Sequence, residues 1–386
     1  MKLHIHGVHV PNRKNTAELA ALRLPIPETV EIPMSMHIGA PAIPVVKPGE
    51  SVRVGQLIGK AGGFVSAPVY ASVSGTVKKI GQMLGSNGRM MQTVEIESDG
   101  LDARWEGIQP PKLETMQDFL DAVRESGMVG LGGAGFPTVV KLTVKNLEQV
   151  KAVIINGAEC EPYITSDTRT MLDRSEELME GARLVQHFLQ VRRVIFAIED
   201  NKPRCIQLYR KLTKDEDGME VCALKSLYPQ GGEKVLIYNT IGEIVPEGKL
   251  PLDVGAIVLN CTTLANIARY CKTGMPLVEK CITVDGSAVA KPKNVIVPIG
   301  MKLADVFEQS GGFCHFYYSS FVRKNPIDRL YFLTKWSCHF CFFQSAIQTA
   351  CQRRYCSFAT VCYRLYNYIC FRHRPLYSFF CGFSRL

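Results

Sequence analysis

Residues 130–141 read GLGGAGFPTVVK, with four glycines within six residues and a Phe-Pro pair directly after them. Glycine has no Cβ and tolerates positive φ, so such a backbone can lie flat against a ligand and direct several N–H groups at an anion. The stretch therefore predicts a loop that holds a flat or phosphorylated ligand. Because Gly-x-Gly-Gly also forms ordinary turns, the rest of the chain has to decide between these interpretations.

The segment before the glycines predicts a helix. Its apolar residues recur at helical spacing and are Met116, Phe119, Leu120 and Val123. The dinucleotide-binding fingerprint of Rossmann folds instead requires a strand directly before the glycines. The loop therefore differs from an ordinary dinucleotide turn.

After the loop, strand-like and helix-like patterns alternate. Apolar runs at residues 150–156, 194–198, 221–224 and 254–260 predict strands. Helices are predicted by the stripe Leu178, Ala182, Val185 and Leu189, around residues 206–212, and from about Thr263. This alternation predicts an α/β domain with a mainly parallel sheet, whose ligands gather at the carboxyl ends of the strands.

Three turns near those strand ends carry polar chemistry. They read NGAECEPY from residue 156, YPQGGEK from residue 228 and NCTTLAN from residue 260. Each could simply cap a helix, but a helix start also offers unpaired N–H groups to an anion. Together with Glu159, Glu161, Glu233 and Lys234 at one sheet edge, the three turns predict a ligand site.

Residues 1–105 predict a small domain of short strands separated by Gly, Pro, Ser and Asn. The runs KPGESV at 47–52, SAP at 66–68 and SGTV at 74–77 resemble a barrel-sandwich hybrid of the biotinyl or lipoyl type. Neither a Met-Lys nor an Asp-Lys hairpin tip is present, so we expect a scaffold without a prosthetic group. His4, His6 and His37 are too scattered to predict a metal site.

The net charge of +9 belongs entirely to the last 72 residues. Residues 1–314 hold 35 basic and 35 acidic side chains, whereas residues 315–386 hold 10 and 1, with 20 of the 34 aromatic residues. Natural domains rarely change composition so abruptly. A reading-frame change just after Cys314 is the preferred interpretation. The alternatives are a membrane anchor at residues 355–371 and a basic-aromatic nucleic-acid binder.

Four motifs in fixed order resemble the RnfC component of the bacterial Rnf/Rsx electron-transport complex. They are GLGGAGFPTVVKL, INGAECEPYITSD, YPQGGEK and NCTTLANIARY, and HGVHVP, MHIGAPAIPVV and SAPVYASVSGTV nearer the N-terminus support the resemblance. The middle region is also similar to the NADH- and FMN-binding subunit of respiratory complex I. The resemblance implies a barrel-sandwich hybrid at 1–105, an FMN/NADH-binding α/β domain at 112–270, a small β-grasp module at 271–314 and an aberrant tail at 315–386.

The resemblance also implies which residues bind the cofactor. They are Gly130, Gly132, Gly133, Ala134, Gly135, Lys141, Asn156, Glu159, Glu161, Gly232, Glu233, Asn260 and Thr263. The five residues from Gly130 to Gly135 would carry FMN, and Glu161 would meet the nicotinamide nucleotide. Leu131 and Lys234 depart from the complex I pattern, which has arginine and glutamate there.

The function implied is that of an NADH-oxidising, FMN-binding peripheral subunit on the cytoplasmic face of the bacterial inner membrane. Hydride would pass from NADH to FMN without an acid–base catalyst, and electrons would then reach a ferredoxin-type acceptor through other subunits of an ion-translocating complex. The N-terminus shows no signal peptide, and no nucleic-acid partner is expected. Alternatives are a cobalamin reductase of the same domain order and a non-catalytic scaffold.

Iron–sulfur clusters are the point at which this chain departs from the family. The resemblance implies two [4Fe–4S] clusters held by C-x-x-C-x-x-C-x-x-x-C-P runs after residue 314. The tail has seven cysteines without that spacing, and no metal ligands are assigned there. We therefore expect this chain to be impaired in onward electron transfer.

Overall fold

The computed structural model describes residues 7–85 and 88–312. The predictions for His4, His6 and the tail 315–386 lie outside the described residues. Eight strands precede residue 100: β1 (Leu22–Arg23), β2 (Thr29–Pro33), β3 (Ile43–Pro44), β4 (Ser51–Val52), β5 (Leu57–Lys60), β6 (Val69–Tyr70), β7 (Gly75–Leu84) and β8 (Met90–Ser98).

Seven of these strands form a sandwich of two antiparallel sheets. Their orders are β2-β8-β7-β4 and β3-β5-β6. Along β2, Val30 and Ile32 are fully buried while Glu31 between them is only half-buried, the alternation expected of a strand with one face on a core. Ile58 and Val69 of the second sheet join the same core. The predicted barrel-sandwich hybrid is confirmed.

The second domain contains seven helices and four strands. They are α1 (Met116–Glu125), α2 (Thr138–Leu142), β9 (Ala152–Gly157), α3 (Ser166–Asp173), α4 (Ser175–Phe188), β10 (Val194–Glu199), α5 (Pro203–Leu212), β11 (Met219–Leu224), α6 (Glu233–Ile241), β12 (Ala256–Asn260) and α7 (Cys261–Thr273). The sheet order is β11-β10-β9-β12, and every neighbouring pair is parallel. This confirms the predicted α/β fold with a parallel sheet.

Helices cover both faces of this sheet. Val153 and Ile155 of β9 pack with the large cluster that includes residues of α1, α4 and α7. Ala152 and Ile154 point to the opposite face and pack with α6. A strand buried on both faces reads as a continuous apolar run, which explains why the run at 150–156 predicted β9 correctly.

Two local features differ from the sequence pattern. The strand predicted from residue 254 begins at Ala256, because residues 251–254 form a 3₁₀ turn that ends at Gly255 with φ of 78°. Helix α3 was not predicted, since its sequence SDTRTMLD lacks an apolar stripe. Its formation depends on tertiary contacts described below.

A third unit follows α7 and consists of β13 (Glu279–Val284), β14 (Lys293–Pro298) and α8 (Leu303–Gln309). Its sheet order is β1-β14-β13, so the first strand of the chain completes it, with Leu22 paired in parallel to Val295. Helix α8 packs Val306 and Phe307 against this sheet. The unit is the predicted small β-grasp module.

Membrane-spanning helices were sought in the described part of the chain. Within residues 7–85 and 88–312, no helix combines the length and the apolar character needed to cross a bilayer.

Candidate functional site

The glycine loop, residues 130–137, joins α1 to α2 and is closed by backbone hydrogen bonds. The Gly130 N–H donates to the Phe136 oxygen at 2.8 Å, and the Thr138 N–H donates to the Met128 oxygen at 3.0 Å. Gly135 has φ of 57°, a left-handed conformation that favours glycine. The loop is therefore a fixed structure in which at least one glycine is required by the backbone.

The amide side chain of Asn260 supports one side of the glycine loop. A Cβ at Gly132 would lie only 2.9 Å from Asn260 Nδ2 and 3.1 Å from its Cβ. At Gly133, by contrast, an added Cβ would meet no described atom within 4 Å. One glycine thus allows close packing on the protein, while its neighbour presents bare backbone to open space, as a flat ligand would require.

The N-terminus of α7 is tied to the same loop. Asn260 caps the helix by accepting from the Thr263 N–H at 3.1 Å, and Thr263 Oγ1 accepts from the Leu131 N–H at 2.8 Å. Asp167 on α3 braces this cap, because its carboxylate accepts from Asn260 Nδ2 and from Thr262 Oγ1, both at 2.8 Å. Asn260 and Thr263 therefore hold the loop from below.

The second glycine turn approaches from α6. Lys141 donates to Glu233 Oε1 at 2.7 Å and to the Val258 oxygen at 3.2 Å, which joins α2 to the start of α6. Asn156 at the end of β9 donates through Nδ2 to the Gly231 oxygen at 3.0 Å. The side chain of Lys234 lies apart from these contacts, because its ammonium donates to the Pro246 oxygen.

Two glutamates in the acidic loop, residues 158–165, have different surroundings. The Glu159 carboxylate is buried and accepts from the Asp167 N–H at 2.6 Å, and from the Thr168 hydroxyl at 2.6 Å and N–H at 3.2 Å. Glu159 therefore caps α3, with its own backbone at φ of 47°. Glu161 Oε2, although buried, has no hydrogen-bond partner within the described residues.

Unpaired polar atoms also occur on the other two motifs. Among the described residues, Thr138 Oγ1 and Gln230 Nε2 are buried without hydrogen-bond partners. Buried polar groups are almost always paired, so such atoms need an explanation, and a ligand supplies one. Sequence reasoning missed both residues, although Thr138 lies in the GFPT run and Gln230 in YPQGGEK, which is the signal that could have found them.

A cavity of about 60 Å³ lies beside the acidic loop, at the carboxyl ends of β9 and β10. Its lining includes Lys14, Glu161, Glu199 and Asn201. Burial raises the pKa of Glu199, and the nearby Lys202 ammonium at 3.2 Å opposes that shift without cancelling it. Glu199 Oε1 likewise lacks a hydrogen-bond partner in the described part of the chain.

The predicted site residues thus converge at one sheet edge from four separate motifs. Asn260 contacts Gly132, Lys141 pairs with Glu233, Asn156 bonds to Gly231, and Asp167 connects the acidic loop to Asn260. In the described residues, no group of three His, Cys, Asp or Glu side chains is arranged to hold a metal ion. The arrangement instead combines exposed backbone, helix N-termini and a lysine, which suit a phosphorylated ring compound.

Family models divide the chain in the same way as the fold. Residues 123–269 match the Nuo51 FMN-binding domain, residues 3–101 match the RnfC barrel sandwich hybrid domain, and residues 281–318 match the SLBB domain. Fold and site together define a flavoprotein class in which an FMN-binding α/β domain is joined to a barrel-sandwich hybrid and an SLBB module.

Curated relatives, all RnfC components of their complexes, specify the family. The chain is 42% identical over 313 residues to that of the Na(+)-translocating ferredoxin:NAD(+) oxidoreductase complex of Acetobacterium woodii, covering 80% of this chain and 70% of the relative. It is 42% identical over 311 residues to the proton-translocating counterpart of Clostridium ljungdahlii, covering 80% and 68%. The counterpart from the ion-translocating oxidoreductase complex of Rhodobacter capsulatus is 34% identical, with 80% and 60% covered.

The chain belongs to the RnfC family of ion-translocating oxidoreductase complexes. The family resemblance stated from the sequence motifs is thereby confirmed.

Proposed function

We propose that this protein binds FMN on the glycine loop and oxidises NADH, as a peripheral subunit of an ion-translocating NADH:ferredoxin-type complex. The observation that carries the proposal is the convergence of the four motifs around a bare glycine backbone, beside three polar atoms that lack partners in the described residues. The family match to an FMN-binding domain supports the choice of ligand.

The residues at this edge fit an FMN molecule in their chemistry. Gly133 leaves open space where a flat ring could lie, and Thr138 offers an unpaired hydroxyl at the start of α2. Lys141 and the N-termini of α6 and α7 supply positive charge for a phosphate. Proposed cofactor-binding residues remain those given above, from Gly130 to Thr263.

Glu161 and Glu159 take different parts in the proposal. Glu161 keeps an oxygen available to accept a hydrogen bond from the nicotinamide nucleotide, whereas the Glu159 carboxylate already caps α3. Glu159 would then shape the flavin edge through the backbone of the acidic loop. No side chain is assigned an acid–base role, because bound FMN supplies the chemistry by accepting a hydride and releasing single electrons.

The proposal also covers partners and location. The curated relatives are named as subunits of ferredoxin:NAD(+) oxidoreductase complexes, which supports other members of such a complex, NADH and, indirectly, a ferredoxin-type acceptor as partners of this chain. We place it peripherally on the cytoplasmic face of the bacterial inner membrane. Onward electron transfer is proposed to be impaired, since cysteines after residue 314 lack cluster spacing.

Anaerobic titration of the full chain tests the central step. The purified chain is reconstituted with FMN, unbound flavin is removed, and NADH is added while flavin absorbance is recorded. We expect NADH to bleach the bound FMN, because the acidic loop and the glycine loop lie at one sheet edge. Dithionite serves as the control that the bound flavin is reducible.

Two results would contradict the proposal. Bound FMN that dithionite bleaches but NADH does not would exclude NADH oxidation, and failure to bind FMN would favour the non-catalytic scaffold. Iron and sulfide analysis of the same preparation checks the remaining part, since stoichiometric amounts of both would contradict impaired onward transfer.

A further inference from the structure

An N-terminal strap, residues 7–17, crosses the carboxyl edge of the parallel sheet. At one end Val8 exchanges two backbone hydrogen bonds of 2.8 Å with Tyr228, in the turn before α6. At the other end the Arg13 N–H donates to the Pro162 oxygen at 3.1 Å, and the Thr16 and Thr165 hydroxyls lie 2.5 Å apart. The strap therefore spans from the second glycine turn to the acidic loop.

Lys14 is the centre of the contact between strap and loop. Its ammonium donates to three backbone oxygens, those of Glu159 at 2.7 Å, Glu161 at 2.9 Å and Ile164 at 2.5 Å. Glu159 Oε2 lies 3.8 Å away, and the Lys14 side chain is only 10% exposed. Three converging carbonyl oxygens surround this ammonium much as they would surround a bound cation, so one side chain fixes both ends of the acidic loop.

A second lysine holds the start of the same loop. Lys202, which is 5% exposed, donates to the Ala158 oxygen at 2.5 Å and pairs with Glu199. Between these two ammonium groups Glu159 adopts φ of 47°, a conformation that is uncommon outside glycine and persists only where surrounding contacts impose it. The loop conformation thus depends on charged groups that lie far away in sequence.

The glycine loop is held by different groups. Its backbone is fixed by Thr263, by the internal bond between Gly130 and Phe136, and by the Ile38 N–H, which donates to the Gly135 oxygen at 3.2 Å. Loss of the Lys14 ammonium would therefore act on the acidic loop first. Glu161, which lines the same cavity as Lys14, would lose its fixed position.

We infer that Lys14 is a positioning residue that fixes the acidic loop for binding of NADH, and that the strap thereby sets nucleotide affinity independently of flavin affinity. This inference rests on the proposed function for its kinetic consequence. Its structural consequence, a loop fixed by one ammonium group, can be measured without NADH.

Kinetics of the full-length, FMN-loaded chain test the inference. Lys14→Met keeps the length of the side chain but removes the ammonium, and we expect the KM for NADH to rise about tenfold, as for one lost charged hydrogen bond. The FMN dissociation constant and kcat are expected to change by less than about twofold, since other groups hold the glycine loop. Lys14→Arg should retain part of the nucleotide affinity.

Arg13→Met is the matched control. Arg13 is the neighbouring cation of the strap and is exposed, so its removal changes the net charge equally and tests simple attraction of the anionic nucleotide. We expect its KM for NADH to stay near the wild-type value. Amide hydrogen exchange of residues 158–165 is expected to accelerate in Lys14→Met and not in Arg13→Met.

Chemical rescue keeps the test decisive if Lys14→Met folds poorly. Added methylammonium should restore slow exchange in Lys14→Ala, because a small cation can occupy the place of the lost ammonium. Equal KM values and equal exchange in the Lys14 and Arg13 variants would overturn the inference, as would an equal loss of FMN affinity. If wild type fails to react with NADH, the proposed function fails, while the exchange data still decide the role of Lys14.

Discussion

A single missing methyl group decides how the glycine loop meets α7. The Asn260 amide lies where a Cβ at residue 132 would have to be, and the same amide caps the helix. At Gly130 the nearest described atoms would be 3.6 Å from an added Cβ, an ordinary contact. Two glycines of one motif are therefore under different steric constraints.

Replacement of these two glycines by alanine makes that difference measurable. Gly132→Ala should lower the free energy of unfolding by about 1–3 kcal/mol, because its methyl group displaces the capping amide. It should also weaken FMN retention. Gly130→Ala is the steric control and should leave the unfolding transition nearly unchanged. Thermal unfolding of both apo variants is the measurement, and equal losses would contradict the packing argument.

Leu131 shows a second residue-scale constraint. Its side chain is 2% exposed and packs with Val129 and with Ala67 of the barrel-sandwich domain. An arginine, the residue that the related complex I pattern has here, would bury an unpaired charge at this domain contact. The departure from that pattern therefore follows from the presence of the N-terminal domain.

At the scale of elements, α3 depends on a carboxylate outside the helix. The Glu159 side chain satisfies the first N–H groups of α3, and the helix in turn presents Asp167 to Asn260. A carboxylate at a helix N-terminus is also favoured by the helix dipole. The acidic loop, α3 and α7 are consequently one connected hydrogen-bonded unit.

The two neighbouring glutamates should separate stability from nucleotide binding. Glu159→Gln should cost about 1–3 kcal/mol of unfolding free energy, because its amide group faces backbone donors that it cannot accept from. Glu161→Gln should leave stability nearly unchanged and raise the KM for NADH. Denaturant unfolding together with NADH kinetics checks both, and a larger stability loss in Glu161→Gln would contradict the assignment.

At the scale of the whole molecule, one carboxylate connects three distant elements. Glu279 on β13 receives hydrogen bonds from Arg23 on β1 and Arg269 on α7. Burial of Glu279 favours its neutral form, but the two arginines together outweigh that effect and lower its pKa. The N-terminal strand, the parallel domain and the β-grasp module are thereby joined by charge.

The pH dependence of stability follows from that lowered pKa. The ionised Glu279 contributes stability above the unfolded-state pKa of about 4.3, and this contribution is lost as pH falls through its lower folded-state pKa. Glu279→Gln should therefore be less stable than wild type at pH 7, and the difference should shrink in acid. Glu106→Gln, which alters an exposed ion pair with Arg53, is the control and should show little effect. A difference that grows in acid would contradict the argument.

Local sequence determined most of the elements. Apolar stripes placed α1, α4 and α7, and continuous apolar runs placed the four parallel strands, because periodicity reports which face of an element is buried. Motif order also indicated the glycine loop and the strand-end turns before any contact was known. These features depend on residues within about ten positions of one another, which a pattern can contain.

Only the tertiary structure decided which polar residues do what. Glu159 and Glu161 are indistinguishable in ECE, yet one caps a buried helix and the other lines a cavity. Lys14 bonds to a loop about 150 positions away, and Leu22 pairs with Val295. Such partners are chosen by topology, which brings distant segments to one sheet edge, and no local pattern encodes that choice.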